Sequence, residues 1–299
     1  MAITHSPITP VLGAEVRGVD LATIDEAEFA ELYRIWMQHH VLLLRDQRLT
    51  NAQFERFSAM LGELDPPPNQ GAGRKSVPGH PNLYVVSNRK SATGEALGAL
   101  GDGEASWHTD MSYLERPPFA SMLWSIELPS QGGDTWFASM PAALRSMPPD
   151  LVRRISRLGI KHDGTYDSGG NVRKGMVAND DPTQSVGTVH PVVIVQPETG
   201  EHTLYLGRRR NAYIPGLPLA ESERLLNIIW SYATAAGVTL CHQWKLGDVV
   251  LWNNLTTMHR RDAFPADQVR TLHRSQIKGR YTLAAPIAQE APQRQAETA

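Results

Sequence analysis

Apolar residues in this chain fall mainly into short runs with the length and composition of β-strands. Most of these runs are rich in leucine, β-branched or aromatic residues and are bounded by turn-forming residues. The scattered glycines and prolines suit many short strands better than a helix bundle. The predicted strands are residues 41–44, 82–88, 120–126, 190–195, 203–206, 238–244, 249–252 and 271–278, with a further strand beginning at 135.

Helices are fewer, and they are marked by apolar stripes at helical spacing. Phe29, Leu32 and Trp36 form one stripe, and residues 219–236 carry the longest. The helices do not alternate one by one with the strands, as they would in a doubly wound parallel sheet. The pattern therefore favours a mostly β fold with flanking helices, built as an antiparallel sandwich.

Two stretches lack a periodic pattern. Residues 163–189 are rich in glycine and poor in apolar side chains, and a loop of this length inside a compact domain is usually a lid or a binding loop. We expect this segment to be mobile without substrate and to close over a site. The polar residues 286–299 predict a disordered tail after one domain that spans residues 1–285.

Composition argues against several classes of partner and of site. The net charge of −2 offers no electrostatic basis for binding nucleic acid or an anionic membrane, so we expect neither as a partner. Cys241 is the only cysteine, which rules out an internal disulfide and a thiolate zinc cluster. No apolar run approaches the length of a membrane span, and the start lacks a signal-peptide pattern. We expect a cytoplasmic protein.

The chemistry is centred on Trp107-His108-Thr109-Asp110. On an extended segment, His108 and Asp110 would point to the same face and supply two adjacent ligands to a divalent metal. A third ligand from elsewhere would complete the arrangement of two histidines and one carboxylate that suits Fe(II) and O2 chemistry. By itself, such a pair is more often a surface turn. His259, followed by Arg270 and Arg274, supplies the distant partner that strengthens the interpretation.

The spacing of these residues resembles that of the taurine/2,4-dichlorophenoxyacetate dioxygenase family. Twenty-four residues separate Asp110 from Thr135, and ten separate His259 from Arg270. The resemblance runs from about residue 9 to about residue 279 and includes the Gly132-Gly133-Asp134-Thr135 turn and the early stretch at residues 12–20.

This resemblance implies a double-stranded β-helix (jelly-roll) core and an enzyme that needs Fe(II), 2-oxoglutarate and O2. It assigns His108, Asp110 and His259 as catalytic metal ligands. Arg270 and Thr135 are then expected to bind the C5 carboxylate of 2-oxoglutarate, since a guanidinium matches a carboxylate bidentately. The resemblance also implies a small anionic substrate, which would be hydroxylated and thereby cleaved in some cases, and a homo-oligomer.

Candidate substrate residues are less closely defined. Arg274 would either meet the substrate's anion or steady the C1 carboxylate of the keto acid. Tyr113 is a second candidate, in a pocket expected to be apolar near Tyr113, Phe119 and Trp124. The run Arg208-Arg209-Arg210 is interpreted as a solvated face or a rim that attracts anions, with a direct role in substrate binding as the less favoured alternative.

The sequence departs from the family pattern at two positions before the distal histidine. Asn253 and Leu255 stand where the family usually has aspartate and arginine before the distal histidine. Such residues orient ligands and do not bind the metal themselves, so the ligand set is expected to stand. The segments 24–47 and 206–216 resemble the aryloxyalkanoate-degrading branch more than the taurine enzyme.

Two other classes of protein would use the same residues differently. A zinc hydrolase or lyase could use the same three ligands with water in the open position, and it would leave Arg270 without a clear purpose. A non-catalytic jelly-roll binding protein would keep the fold and need no metal.

Overall fold

The computed structural model describes residues 2–67 and 76–286, in which two β-sheets pack face to face. In chain order the strands are β1 (Thr4–Pro7), β2 (Ala14–Arg17), β3 (Val41–Leu44), β4 (Ser76–Val77), β5 (His80–Ser87), β6 (Ala99–Leu100), β7 (Ala105–His108), β8 (Ala120–Glu127), β9 (Thr135–Ser139), β10 (Gly159–Lys161), β11 (Val189–Pro191), β12 (Val193–Val195), β13 (His202–Leu204), β14 (Thr239–His242), β15 (Val249–Asn253), β16 (Thr257–Arg261) and β17 (Thr271–Ile277). The helices are α1 (Glu26–His39), α2 (Asn51–Met60), α3 (Met140–Arg145), α4 (Pro149–Ile155) and α5 (Leu219–Ala233).

The larger sheet has the strand order β1-β2-β3-β15-β8-β17-β5-β4, with β6 beside β5. The smaller sheet has the order β14-β9-β16-β7, and all of its pairings are antiparallel. This mostly antiparallel, two-sheet arrangement is a jelly-roll core with flanking helices, as predicted.

The β3 strand shows how the layers are held together. Val41 and Leu43 belong to the apolar cluster between the two sheets, which also contains Phe137 from β9. Leu42 and Leu44 point the other way, into the cluster that α1 and α2 cover. Both faces of this strand are buried, and this explains its continuous apolar run.

The smaller sheet is covered by the other helices. Met258 on β16 packs in a cluster with Ile229 of α5 and Ile155 of α4. No helix within the described residues is both long enough and apolar enough to cross a membrane. Of the predicted tail, residues 287–299 lie outside the described residues.

Candidate metal centre and keto-acid site

Two histidines face each other on neighbouring strands of the smaller sheet. His108, the last residue of β7, lies directly opposite His259 in the antiparallel pairing of β7 with β16. Their ring centroids are 4.1 Å apart, and both side chains are buried. Two histidines separated by about 150 residues in the chain therefore present their rings to one point.

Asp110 reaches the same point from a turn and not from a strand. The β7 strand ends at His108, and Met111 has a φ of 43°, so the extended segment expected through Asp110 was wrong. The turn nevertheless places Oδ1 of Asp110 3.7 Å from Nε2 of His108 and 3.8 Å from Nε2 of His259. One ligand atom from each residue lies within 4.8 Å of the other two, and the residues described here contain no second group of this kind.

The other oxygen of Asp110 is held by the larger sheet. Nη2 of Arg274 is 2.6 Å from Oδ2, and the Ser121 hydroxyl donates a hydrogen bond to Oδ2 at 2.9 Å. Asn254 in turn donates to the Ser121 hydroxyl at 3.1 Å, and Trp252 donates to Asn254 at 3.0 Å. These contacts fix the carboxylate so that Oδ1 faces the histidines.

The protonation states of the three groups suit metal binding. Burial lowers the pKa of His259 to about 4, with Arg274 and Arg208 lowering it further against the opposing effect of Asp110. Burial, then the neighbouring His259 and Arg208, hold the pKa of His108 well below its usual value. Burial alone would raise the pKa of Asp110, but Arg274 and the histidines outweigh it and lower the pKa. Neutral imidazoles and an ionised carboxylate are the forms that bind a metal.

His108 is also held in the correct tautomer. Its Nδ1 lies 2.8 Å from the carbonyl oxygen of Ser106, which can only accept a hydrogen bond, so Nδ1 carries the proton. The lone pair of Nε2 is then directed towards Asp110 and His259. A buried set of two histidines and one carboxylate fits Fe(II) and leaves further coordination positions for other ligands.

A second feature of the same cavity is an unpaired arginine. The guanidinium of Arg270 is buried, and neither Nε nor Nη2 has a hydrogen-bond partner among the described residues. Burial, together with the nearby Arg261, lowers the pKa of Arg270 to about 9, so it stays charged at neutral pH. A buried charge without a partner is costly, and this arginine therefore calls for an anion.

Thr135, the first residue of β9, lines the cavity together with Arg270. Its hydroxyl accepts a hydrogen bond from Trp244 at 3.0 Å, and the guanidinium of Arg270 lies 5.7 Å from the centre of the Trp244 ring. Gly133 leaves room for the arginine, because a Cβ there would come within 2.9 Å of Cδ of Arg270. The buried, unpaired guanidinium beside a hydroxyl fits the distal carboxylate of a keto acid.

The cavity encloses about 740 Å³, counted to its open mouth. All three predicted metal ligands line the cavity, as do both predicted cofactor residues and Arg274. The complete lining consists of Val86, Ala105, His108, Asp110, Met111, Leu123, Thr135, Ser168, Arg173, Arg208, Trp252, His259, Arg261, Arg270, Arg274 and Gln276.

The aromatic residues expected near the substrate lie elsewhere. Phe119 packs against Trp36 and Tyr281, and Trp124 packs against Phe54, all on the outer side of the larger sheet. Tyr113 is not part of the cavity wall but lies beneath it, with the guanidinium of Arg173 4.6 Å from its ring centre. Strand residues alternate between faces, and the alternation on β8 directs Trp124 away from the cavity.

The sequence interpretation of the arginine run was wrong for its first member. Arg208 is buried and lines the cavity, whereas Arg209 and Arg210 make ion pairs with Glu223 and Asp180. Gly207 brings the chain close to the site: its φ is 68°, and a Cβ there would lie 2.2 Å from Nδ1 of His162. Nothing in the composition of the run itself distinguishes Arg208 from Arg209 and Arg210.

The departures from the family pattern also have structural roles. The side-chain oxygen of Asn253 accepts a hydrogen bond from the backbone N–H of Leu255 at 2.9 Å, and Leu255 is buried in the core under α1 and α2. The segment before His259 is therefore fixed by an asparagine turn and apolar packing, without the usual aspartate and arginine.

The hydrogen bonds on Asp110 lead to a testable prediction. A Ser121→Ala variant should bind Fe(II) about 10–100-fold more weakly, since a residue that orients a ligand typically contributes that much. Isothermal titration of the metal-free protein with Fe(II) under argon measures this change. Ser125→Ala is the matched control, because Ser125 is a buried serine on the same strand that bonds to Lys245 and Asp248, away from the cavity. Equal affinities for both variants would show that Ser121 does not orient the ligand.

The chain is similar in sequence and structure to known proteins of the family that the spacing of these residues suggested. Residues 4–276 match the family described as taurine catabolism dioxygenase TauD, TfdA family. The chain is 31% identical over 290 residues to a protein of Delftia acidovorans named (S)-phenoxypropionate/alpha-ketoglutarate-dioxygenase, covering 92% of this chain and 94% of that one.

Two further relatives show the range of the family. An alpha-ketoglutarate-dependent sulfate ester dioxygenase of Pseudomonas putida is 31% identical over 91% of this chain and 88% of its own. The crystal structure of a taurine dioxygenase from Burkholderia xenovorans superposes with a TM-score of 0.77 at 30% identity, covering 95% of this chain and 93% of that one. The chain therefore belongs to the TauD/TfdA family and is an Fe(II)- and 2-oxoglutarate-dependent dioxygenase.

Proposed function

We propose that this dioxygenase hydroxylates a small organic anion at the carbon next to its charged group or heteroatom. One observation carries the proposal: among the described residues that line the cavity, arginines far outnumber carboxylates. The single carboxylate is Asp110, which pairs with Arg274, whereas Arg173, Arg208 and Arg270 make no ion pair with any described residue. One dianionic co-substrate does not balance this excess, so a second anion is expected in the site.

Three residues would hold the metal, namely His108, Asp110 and His259. Thr135 and Arg270 would hold the C5 carboxylate of 2-oxoglutarate at the far end of the same cavity. Bound iron supplies the oxidation chemistry, in which O2 and 2-oxoglutarate are consumed, succinate and CO2 are formed, and the substrate gains a hydroxyl group. The protein contributes the positions of the two organic molecules and keeps bulk water out.

The relatives suggest which anions to test. Their names include phenoxypropionate and sulfate ester substrates, and in both classes a carbon carries an oxygen heteroatom. Hydroxylation of that carbon gives a hemiacetal or its sulfate analogue, which collapses to a carbonyl compound and releases the phenol or sulfate. Sulfonates would be cleaved at the C–S bond by the same route.

A turnover screen tests this proposal. Purified enzyme with Fe(II), ascorbate and 2-oxoglutarate would be offered phenoxyacetate, both enantiomers of 2-phenoxypropionate, hexyl sulfate, hexanesulfonate and hexanoate. We expect succinate to form with at least one of these anions and to disappear in a His108→Ala variant. Activity that needs neither O2 nor a keto acid, and that Zn(II) supports, would favour the hydrolase alternative.

The segment 163–189 is proposed to act as the lid of this site. Ser168 and Arg173 of this segment line the cavity, and the carbonyl oxygen of Ser168 accepts a hydrogen bond from the backbone N–H of Ser106 on β7 at 3.0 Å. We expect amide exchange in 163–189 to slow when 2-oxoglutarate and the substrate anion are both bound. Hydrogen–deuterium exchange with mass spectrometry measures this, and an unchanged rate would contradict a gating role.

Three expectations from the sequence remain predictions. They are a cytoplasmic location, a homo-oligomer, and one jelly-roll domain that spans residues 1–285. Light scattering coupled to size-exclusion chromatography gives the oligomeric state directly, and a mass equal to one chain would show that the homo-oligomer prediction is wrong.

A further inference from the structure

Arg208 is a buried cation that makes no ion pair with a carboxylate of the described residues. Its side chain is buried in the cavity wall, and Nε and Nη1 have no hydrogen-bond partner among the described residues. No carboxylate of the described residues lies within ion-pair distance of it. It lines the same cavity as His108 and His259, and its charge lowers the pKa of both histidines. Arg208 therefore resembles Arg270 in having an unpaired guanidinium, but it is not the residue expected to hold 2-oxoglutarate.

Arg274, the substrate candidate expected from the sequence, differs in having a carboxylate partner, although its Nε also lacks a hydrogen-bond partner among the described residues. Its Nη2 contacts Oδ2 of Asp110 at 2.6 Å, the Ser121 hydroxyl at 3.1 Å and the side-chain oxygen of Gln276 at 2.8 Å. The charge of Arg274 is thus matched by a metal ligand whose orientation it fixes. A guanidinium that is already neutralised has less to gain from a substrate anion than an unpaired one.

A second cation stands beside Arg208 on the predicted lid. Arg173 belongs to the segment 163–189, lines the same cavity and makes no ion pair with any residue that the structure describes. It is held in place by its Nε, which donates to the Tyr166 carbonyl oxygen at 3.1 Å, and by the Tyr113 ring beneath it. Burial and the charge of Arg173 lower the pKa of Arg208 to about 10, so Arg208 stays positively charged at neutral pH. Two like charges that face the same cavity are unfavourable unless an anion lies between them.

We propose that Arg208 and Arg173 together bind the anionic group of the substrate, while Arg274 positions Asp110. This inference rests on the proposed function and specifies which arginines select the anion. Two guanidinium groups can donate hydrogen bonds to a carboxylate, a sulfonate or a sulfate with similar geometry. The site therefore selects for negative charge on a compact head group, whether planar or tetrahedral. Because Arg173 is on the lid and Arg208 is not, an anion bound by both arginines would also hold the lid closed over the cavity.

The experiment compares an acid with its neutral ester in matched variants. The probes are the best carboxylate from the screen and its methyl ester, and the readout is kcat/KM for succinate formation. Wild-type enzyme should prefer the acid. In Arg208→Gln the KM for the acid should rise by roughly thirtyfold or more, since a buried charge partner is lost. The KM for the ester and the KM for 2-oxoglutarate should stay within a factor of two, and the acid-to-ester preference should collapse towards one.

Two controls separate this effect from misfolding. Arg209→Gln removes the next arginine in the chain, whose partner is Glu223 outside the cavity, and it should behave as wild type. The anaerobic absorption band of the Fe(II)–2-oxoglutarate complex should be unchanged in Arg208→Gln, because neither ligand set is altered. Arg208→Lys retains the charge and should recover part of the preference for the acid.

Arg173→Gln is expected to lower the acid-to-ester preference and also to remove the substrate-dependent slowing of amide exchange in the lid.

The inference is overturned if Arg208→Gln keeps the acid-to-ester preference of Arg209→Gln. It is also overturned if Arg274→Gln abolishes that preference while Arg208→Gln does not. A wild-type enzyme that makes succinate with the ester as well as with the acid would refute the anion site but leave the dioxygenase activity standing. Absence of succinate with every anion would instead refute the proposed function, and with it this inference.

Discussion

A His259→Ala variant is expected to lose turnover by about a thousandfold or more, because the metal contributes several kcal/mol to the reaction and this variant cannot hold it. His259 contributes one of three ligand atoms that lie within 4.8 Å of one another. The remaining pair, His108 and Asp110, would offer only two ligands. Anaerobic addition of Fe(II) and 2-oxoglutarate should give the wild-type enzyme a weak visible charge-transfer band that is absent in the variant.

His273→Ala is the matched control for this experiment. His273 is also a histidine on a central strand, but its Nδ1 lies 2.8 Å from the Asn51 side chain on the outer side of the larger sheet. The control should keep both the band and the turnover. If His259→Ala retained the band, the ligand assignment would be wrong.

An Arg270→Leu variant is expected to need about a hundredfold more 2-oxoglutarate for half-maximal rate. Losing the partner of a buried carboxylate costs roughly 2–5 kcal/mol, and each 1.4 kcal/mol corresponds to a tenfold change. Leucine fills part of the space without charge. The protein itself should be no less stable, since the unliganded arginine is a buried charge without a partner.

Steady-state titration of 2-oxoglutarate at saturating substrate measures the change. Arg260→Leu serves as its control, because Arg260 precedes the cavity-lining Arg261 on β16 and pairs with Asp262 outside the cavity. Arg270→Lys keeps the charge but not the two-pronged geometry, and it should fall between wild type and leucine. An unchanged 2-oxoglutarate requirement in Arg270→Leu would move the carboxylate site to another arginine of the cavity.

The residues of the candidate site could be located from the sequence because the proposed metal binding restricts residue type and spacing. His108, Asp110, His259, Thr135 and Arg270 all line one cavity, as the motif spacing predicted. The β16 strand that carries His259 was nevertheless not predicted. The sequence of β16, Thr257 to Arg261, contains one apolar residue followed by histidine and two arginines. The alternation of apolar and polar residues that identifies a strand is therefore absent.

Arg208 shows what the sequence could not reveal. Three consecutive arginines have the composition of a solvated surface, and composition does not state which of them the fold buries. That depends on the path of the chain at Gly207, where a left-handed backbone turn passes against His162. The pairing of Arg274 with Asp110 was hidden for a similar reason, because it joins a strand of one sheet to a turn beside the other.

The central claim is that one cavity couples 2-oxoglutarate decarboxylation to hydroxylation of an organic anion. Isotope labelling under 18O2, with the best anion of the screen, tests it most directly. We expect one labelled oxygen atom to enter succinate and the other to enter the hydroxyl group of the product, or the carbonyl group that its collapse leaves, with succinate and product formed in equal amounts. Product that forms without O2, or that carries oxygen from water while no succinate appears, would contradict it.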